Sequence, residues 1–488
     1  MKRRLAGSLS VIAIVFMVVV DVLATCGGGG GGGMGGMRGG GGGGGGEMPM
    51  YPVPWKMVTP ADAMTPGSLV VYWFPASENE LKNSSMRFSR TLSNYATQCV
   101  TMGVADAGTP LGQRFAADEK LPVAVIADAD GKIIAKAKGG DDGKLRVGQV
   151  EKLLDGEMKT RESAVKDSLN AAKDAAKKGD KDAAIAQYKS VLDQKCLFPK
   201  QANDATKELK KLGVAGLEPV PPAPNYDPAV GAAIEKALQS GLMAEDAADY
   251  TTAEKFYSRA RQMDPADPVP LRYLGELYRH QTGDWDKARA TFETILHMPA
   301  DPMSRAVALH GIGKMTIHDG EFLKGLHLME ETAGVFPLAL TYRNLAVYWH
   351  SEGDRAKADD YTSKALALDP DDPFNVVFAA AFLAGEPGAR GDEALKVAKA
   401  HEDLMCASYN LAAIYAQRGD KQKALALLKR HFFEYEKYDS VRSKEMMEAR
   451  VDAVFASLYQ DPAFVALTAG ADGRLPLPAM GSKPAGAN

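Results

Sequence analysis

Cysteine is scarce in this chain of 488 residues, with Cys26, Cys99, Cys196 and Cys406 as its four. No two lie within three positions of each other. That excludes a CxxC redox pair, a local zinc knuckle and a small disulfide-stapled fold, and leaves a long-range disulfide open. Charge of one sign is not in excess either. A formal net charge of −4 gives no global attraction to nucleic acid or to an anionic membrane surface. Catalytic signatures are also missing. His280, His297, His310, His318, His327, His350, His401 and His431 form no HExxH pattern, and each is expected at the surface or in a groove. Gly313-Lys314 is followed by Met315 and lacks the Gly of a phosphate loop five residues earlier. No GxSxG occurs. Asp128-Ala129-Asp130-Gly131 opens like a calcium loop, but Gly139 stands where the closing Glu is needed, so a hairpin turn accounts for it. These absences point away from an enzyme and imply no metal, cofactor or small-molecule substrate.

What is present is ordinary for folded protein: 45% hydrophobic and 25% charged residues. At about 100–200 residues per domain, two to four domains are expected. Glycine is the exception, and residues 27–50 explain much of it. This nearly pure Gly segment cannot bury enough apolar surface to fold, and as a flexible tether of about 20 residues it spans roughly 25 Å. Before it, residues 1–26 have the parts of an export signal: Lys2, Arg3 and Arg4, then the apolar run Leu9 to Val20, then Leu23-Ala24-Thr25-Cys26. The last four resemble the bacterial lipobox, although Thr25 replaces the usual Gly, Ala or Ser. The resemblance implies lipidation of Cys26 and a place in the cell envelope, facing the periplasm or the outer surface. Ordinary secretion and an uncleaved anchor are the alternatives. The apolar run is shorter than the ~20 residues that span a bilayer.

Residues 51–158 read as an α/β unit. Ser68 to Phe74 is a continuous apolar run suited to a buried central strand. A helix is expected over Glu78 to Ala96, a strand over Val100 to Ala105, and a hairpin over Pro122 to Lys136. A closing helix starts near Gly148. Val71-Tyr72-Trp73-Phe74-Pro75-Ala76 and Leu121-Pro122-Val123-Ala124-Val125 resemble the thioredoxin fold, with Pro122 at the family's cis-proline. The family's paired cysteines fall on Ser77 and Glu80. Thiol–disulfide exchange needs a thiolate and a resolving thiol, so the domain reads as redox-dead. Cys99, near the start of a core strand, reads as a buried structural residue.

From residue 165 a pattern of about 34 residues recurs. One unit has Leu345-Ala346, Trp349, Gly353, Ala358, Thr362, Ala365 and Pro370. Others follow Gly241, Ala253, Tyr257, Ala260 and Pro265, and Leu274-Gly275, Tyr278, Gly283, Ala288 and Phe292. Another follows Leu411-Ala412, Tyr415, Gly419, Ala424 and Leu428. Weaker units pass through Gly311, Gly320 and Gly325, and through Ala394 and Ala398. An early one has Ala172, Gly179, Ala184 and Tyr188. Small residues let two helices approach while an aromatic fills the adjoining groove. The set resembles the tetratricopeptide repeat. The fold class expected is thus an α/β thioredoxin-like domain followed by an all-α tetratricopeptide solenoid. A repeat-like hairpin occupies 159–213, a Pro-rich linker 214–228, the main array with a capping helix 229–470, and a tail 471–488. The capping helix is expected over Ser443 to Tyr459.

The resemblance implies a groove lined by first helices that binds a protein or peptide. Its positions include Arg272, Glu276, Arg279, Arg343, Val347 and His350. The arginines suit a carboxylate or phosphate, or are solvated surface charge. The function expected is a non-catalytic scaffold of the bacterial cell envelope, membrane-anchored through its lipid. The alternative is an envelope thiol-handling or chaperone-like protein in which Cys99, Cys196 or Cys406 acts.

Overall fold

The computed structural model describes residues 51–58 and 69–469, apart from 369, 371 and 436–438. The export signal, Cys26, the Gly tether and the tail lie outside the described residues. The chain divides into two compact units, Val53–Ser168 and the residues from Leu169 onward.

The first unit is built on a five-stranded sheet of order β1-β3-β2-β4-β5. Its strands are β1 (Lys56–Met57), β2 (Leu69–Phe74), β3 (Val100–Val104), β4 (Val123–Asp128) and β5 (Ile133–Lys138). β1 and β2 run parallel to β3, β4 runs antiparallel to β2, and β5 closes the hairpin. β2 is central, so both its faces are covered and every residue of LVVYWF is buried. Val70, Tyr72 and Phe74 pack with Leu111, Phe115 and Val125 on one face, which α3 (Pro110–Ala116) supplies in part. Trp73 meets Trp55 on the other, with ring centroids 5.4 Å apart. The Leu121–Pro122 peptide bond is cis.

The single helix expected over residues 78–96 is instead three pieces: α1 (Glu78–Asn83), a 3₁₀ turn (Ser85–Arg87) and α2 (Arg90–Ala96). Two serines restart the chain. Ser84 Oγ accepts from Met86 N at 3.3 Å, and Ser89 Oγ accepts from Leu92 N at 2.9 Å. α2 is held to α4 (Val147–Lys177) by Ser89 Oγ on Glu151 at 2.5 Å and Tyr95 OH on Asp155 at 2.6 Å. Ser168 lies within α4, as does residue 158, where the sequence placed a boundary.

Cys99 departs from expectation. It is exposed, sits in a turn before β3 with φ +62°, and is disulfide-bonded. The turn pushes its side chain outward before the strand begins. Cys196 and Cys406 are disulfide-bonded as well.

The second unit is helical. After α5 (Lys181–Leu192) and α6 (Pro199–Lys211), residues 214–227 carry no helix or strand. Antiparallel hairpins follow: α7 (Pro228–Asp246) with α8 (Tyr250–Met263), α9 (Val269–Glu276) with α10 (Trp285–Leu296), and α11 (Pro302–His318) with α12 (Phe322–Val335). Then come α13 (Ala339–Ser351) with α14 (Arg355–Leu368), α15 (Pro373–Leu383) with α16 (Ala389–Ala400), and α17 (Ser408–Gln417) with α18 (Lys421–Arg430).

One device recurs between the two helices of a hairpin. A Gly in the left-handed region ends the first helix, and the next residue, Asp, caps the second. Gly353 and Gly419 both have φ +84°. Asp354 and Asp420 accept from Lys357 N at 3.1 Å and Lys423 N at 3.0 Å. The small residues act as the repeat pattern requires. A Cβ at Gly275 or at Gly311 would each lie 2.3 Å from an edge of the Phe292 ring, so the ring is clasped between two helices. A Cβ at Gly325 would lie 2.4 Å from the Gly313 carbonyl oxygen, so α11 and α12 touch backbone to backbone.

The cap of the array is also divided. In place of one helix there are α19 (Asp439–Ala449), a 3₁₀ turn (Ala453–Leu458) and α20 (Pro462–Thr468). Asp452 breaks the run by accepting from Val454 N at 3.2 Å. Phe455, Phe464, Met446 and Ala449 share a core with Leu411 and Tyr415 of α17.

Candidate functional site: the inner face of the repeats

The six residues assigned to the groove fall into two groups. Arg272, Glu276 and Arg279 lie on α9 and the π-helical turn that extends it (Leu277–Thr282), while Arg343, Val347 and His350 lie on α13. The first group is not solvated surface charge. Arg272 is fully buried, with Nη1 4.0 Å from Asp301 Oδ1 and 3.4 Å from Ser304 Oγ. Asp301 is the N-cap of α11, so Arg272 ties one hairpin to the start of the next.

Arg279 grips Glu276 with two bonds, Nε to Oε1 at 3.2 Å and Nη2 to Oε2 at 2.9 Å. His280 Nε2 lies 3.4 Å from the same carboxylate. Burial alone would raise the Glu276 carboxyl, but Arg279 and His280 outweigh it and hold the group well below the usual carboxylate range. The bidentate grip expected for a ligand is therefore made within the chain.

On α13, Arg343 Nη1 donates to Asn375 Oδ1 at 2.9 Å, and its guanidinium lies 4.9 Å from the Phe374 ring centroid. Burial lowers its pKa to about 10. Val347 packs beside Ala346, Phe378 and Phe382. The His350 ring stands edge-on to Phe382 at 5.3 Å. Burial, then nearby Arg355, lowers the His350 imidazole pKa.

Between the two groups, α11 supplies residues that sequence reasoning passed over. Lys314 is buried, and its ammonium donates to Tyr348 OH at 2.6 Å and Asn344 Oδ1 at 3.3 Å. Its third neighbour comes from far along the chain: Glu448 Oε1 of α19, at 3.0 Å. His318 Nε2 lies 3.2 Å from the same oxygen. Burial works against both charges, yet each offsets the other's cost. Glu448 is held at about 2, and Lys314 is raised above the ordinary lysine range. One turn earlier His310 is buried, with Nδ1 3.1 Å from Thr341 Oγ1 and no hydrogen-bond partner at Nε2 among the described residues. Burial, then Arg279, keeps its imidazole neutral.

His310 and His431 correct the expectation that every histidine is a surface or groove residue. His431 is fully buried, its Nε2 3.0 Å from Glu445 Oε2. Sequence held one weak signal for this site. Lys314, Tyr348 and Asn344 lie at inner positions of consecutive first helices, but Lys314 drew notice only as a failed phosphate loop.

Among the described residues no group of three or more His, Cys, Asp or Glu side chains is placed to hold a metal ion. None of their helices is long and apolar enough to cross a membrane.

Residues 242–311 match the tetratricopeptide repeat family. The hairpins in that stretch are thus similar to tetratricopeptide repeats. The matched stretch runs from α7 into α11 and holds Arg272, Glu276, Arg279, His280 and His310. The protein CTR9 homolog of Arabidopsis thaliana is 27% identical over 177 residues, 36% of this chain and 14% of that protein. This chain thus spans about a seventh of that relative. A solved tetratricopeptide protein of Thermus thermophilus aligns at 18% identity with a TM-score of 0.27, over 43% of this chain and 96% of that one.

Proposed function

We propose that this chain is a non-catalytic scaffold of the bacterial cell envelope that binds a protein or peptide on the inner face of its tetratricopeptide repeats, anchored to the membrane through Cys26. The observation that carries the reading is the ionic lining of that face. Rows of buried Arg, Glu, His and Lys fix the first helices in register, as a preformed recognition surface requires. Disulfide bonding of Cys99, Cys196 and Cys406 supports an oxidising compartment and hence export.

The first unit is read here as a thioredoxin-like domain without redox chemistry. Its sheet order supports this, and so does the local work done by the two residues at the thiol positions. Ser77 Oγ accepts from Glu80 N at 3.1 Å, and Glu80 Oε2 accepts from Ala76 N at 2.6 Å. That reciprocal arrangement is a helix cap, with neither atom able to form a mixed disulfide. The thiol-handling alternative is disfavoured on the same ground, because the three described cysteines are disulfide-bonded and offer no thiolate.

The test is affinity capture from solubilised envelope with the full chain, beside a Val347→Asp/His350→Asp variant. A partner retained by the native chain and lost by an equally helical variant supports the reading. A partner held equally by both removes the inner face from the proposal. Recovery of the chain in the soluble fraction, with no lipid on Cys26, overturns the anchored placement.

A further inference from the structure

The inner face is already occupied, and the occupant is this chain. α19 packs against the π-helical turn after α9 and sends Glu448 to Lys314 and His318 of α11. All of these belong to first helices of hairpins far upstream, so α19 lies across the surface assigned to a partner.

The helix has two kinds of contact. At its back, Met446 and Ala449 join the apolar core of the array's end, and Glu445 meets His431. At its front is the ionic seat. Tyr348 and Asn344 hold the Lys314 ammonium from one side, and the carboxylate completes its shell from the other. Tyr348 also places its ring 5.0 Å from that ammonium. The seat is therefore built by α11 and α13, and α19 contributes only the acid. Glu448 keeps a third of its side chain exposed while Lys314 keeps 9%. The acid thus sits at the solvent edge of a buried cation, where an incoming carboxylate can exchange with it.

We propose that α19 is a built-in occupant of the inner face, and that the partner of this chain is a helical segment presenting a carboxylate to Lys314 and His318 in place of Glu448. This rests on the scaffold reading above. The partner's chemistry follows from what fills the seat now: a helix that places one acid at the seat, its Met446 and Ala449 turned into the apolar core behind it. Binding in trans must displace the helix in cis, so the resting chain is self-inhibited, and its apparent affinity is lowered by the fraction that stays closed.

The experiment uses the full chain and a fluorescent synthetic peptide of residues 439–452, followed by anisotropy. The native chain binds it weakly. Glu448→Lys places two cations together, releases α19, and binds the peptide on the order of tenfold more tightly. A peptide carrying Glu448→Lys is not bound, and Lys314→Ala in the Glu448→Lys chain abolishes the gain. Equal binding by the native and Glu448→Lys chains overturns the proposal, as does no binding by a variant of native helical content. If Glu448→Lys loses helical content, Glu448→Gln, which keeps the shape, is read by the same criteria. A variant that dimerises through exchanged α19 segments and ignores the peptide overturns it in favour of a second copy as occupant. Failure of envelope capture with a positive peptide result sinks the scaffold reading alone. The reverse pattern sinks only the self-occupancy.

Discussion

Glu448 and Lys314 stand 3.0 Å apart across the array, joining α19 of its cap to a first helix near its middle. The pair makes the acid side of the stability curve a direct report on α19. Glu448 titrates at about 2 in the fold against an ordinary 4.5. Between those values the unfolded chain binds more protons. The pair's contribution is therefore full above pH 4.5 and is lost as pH falls toward 2. Urea unfolding between pH 2 and 6 is expected to show a shallower acid loss for Glu448→Gln than for the native chain. Parallel curves would remove the pair from the account.

Asp452 carries the opposite sign. Burial outweighs its bonds from Val454 N and Tyr409 OH and raises it from 3.8 to about 6. The folded state then binds more protons between those values, so stability falls as pH rises through that window. Asp452→Asn keeps the bond from Val454 N on its amide oxygen, turns the other position into an NH2 that donates to Tyr409 OH, and removes the charge. It is expected to stabilise the chain above pH 6 and to flatten the slope between pH 4 and 6 in the same titration.

The Phe292 clasp predicts a cost that propensity alone would get wrong. Gly→Ala in a helix gains about 1 kcal/mol. A methyl placed 2.3 Å from the ring demands a shift of a rigid side chain, at about 1–3 kcal/mol. The clash is expected to win, so Gly275→Ala lowers the unfolding midpoint. Phe292→Leu, itself destabilising, is expected to cost less in the Gly275→Ala background than in the native one. A double-mutant cycle measures this directly.

Arg279 and Glu276 are both buried, so removing one is worse than removing both. Arg279→Met is expected to cost about 3–5 kcal/mol, because it withdraws the main counter-charge from a buried carboxylate. The double variant Arg279→Met/Glu276→Gln is expected to recover more than half of that. Denaturant unfolding of the two variants decides it.

The repeats were legible because their determinants are local. Gly353 with Asp354, or Gly275 with Phe292, are read within one hairpin. Strands β2 to β5 of the first unit were equally plain, since β2 needs apolar residues on both faces, whereas the two-residue β1 (Lys56–Met57) was not. The breaks were not plain. Ser84, Ser89 and Asp452 each end a periodic run by bonding their own backbone, and periodicity does not register a cap inside an amphipathic stretch. For the site, sequence placed Arg272, Glu276 and Arg279 on the inner side but could not tell that they are consumed there. Their burial depends on Asp301 and Ser304 arriving from the next hairpin. Lys314 was invisible as a site residue because its partner, Glu448, is brought to it only by the return of the chain over the whole array.

The backbone contact between Gly313 and Gly325 bears on how such a surface responds to load. With no side chain between them, α11 and α12 have nothing compressible at the joint. The residue next to that joint is Lys314. The seat and the tightest contact between α11 and α12 thus share one turn of helix, so a shift of Lys314 meets α12 through backbone before it meets any side chain.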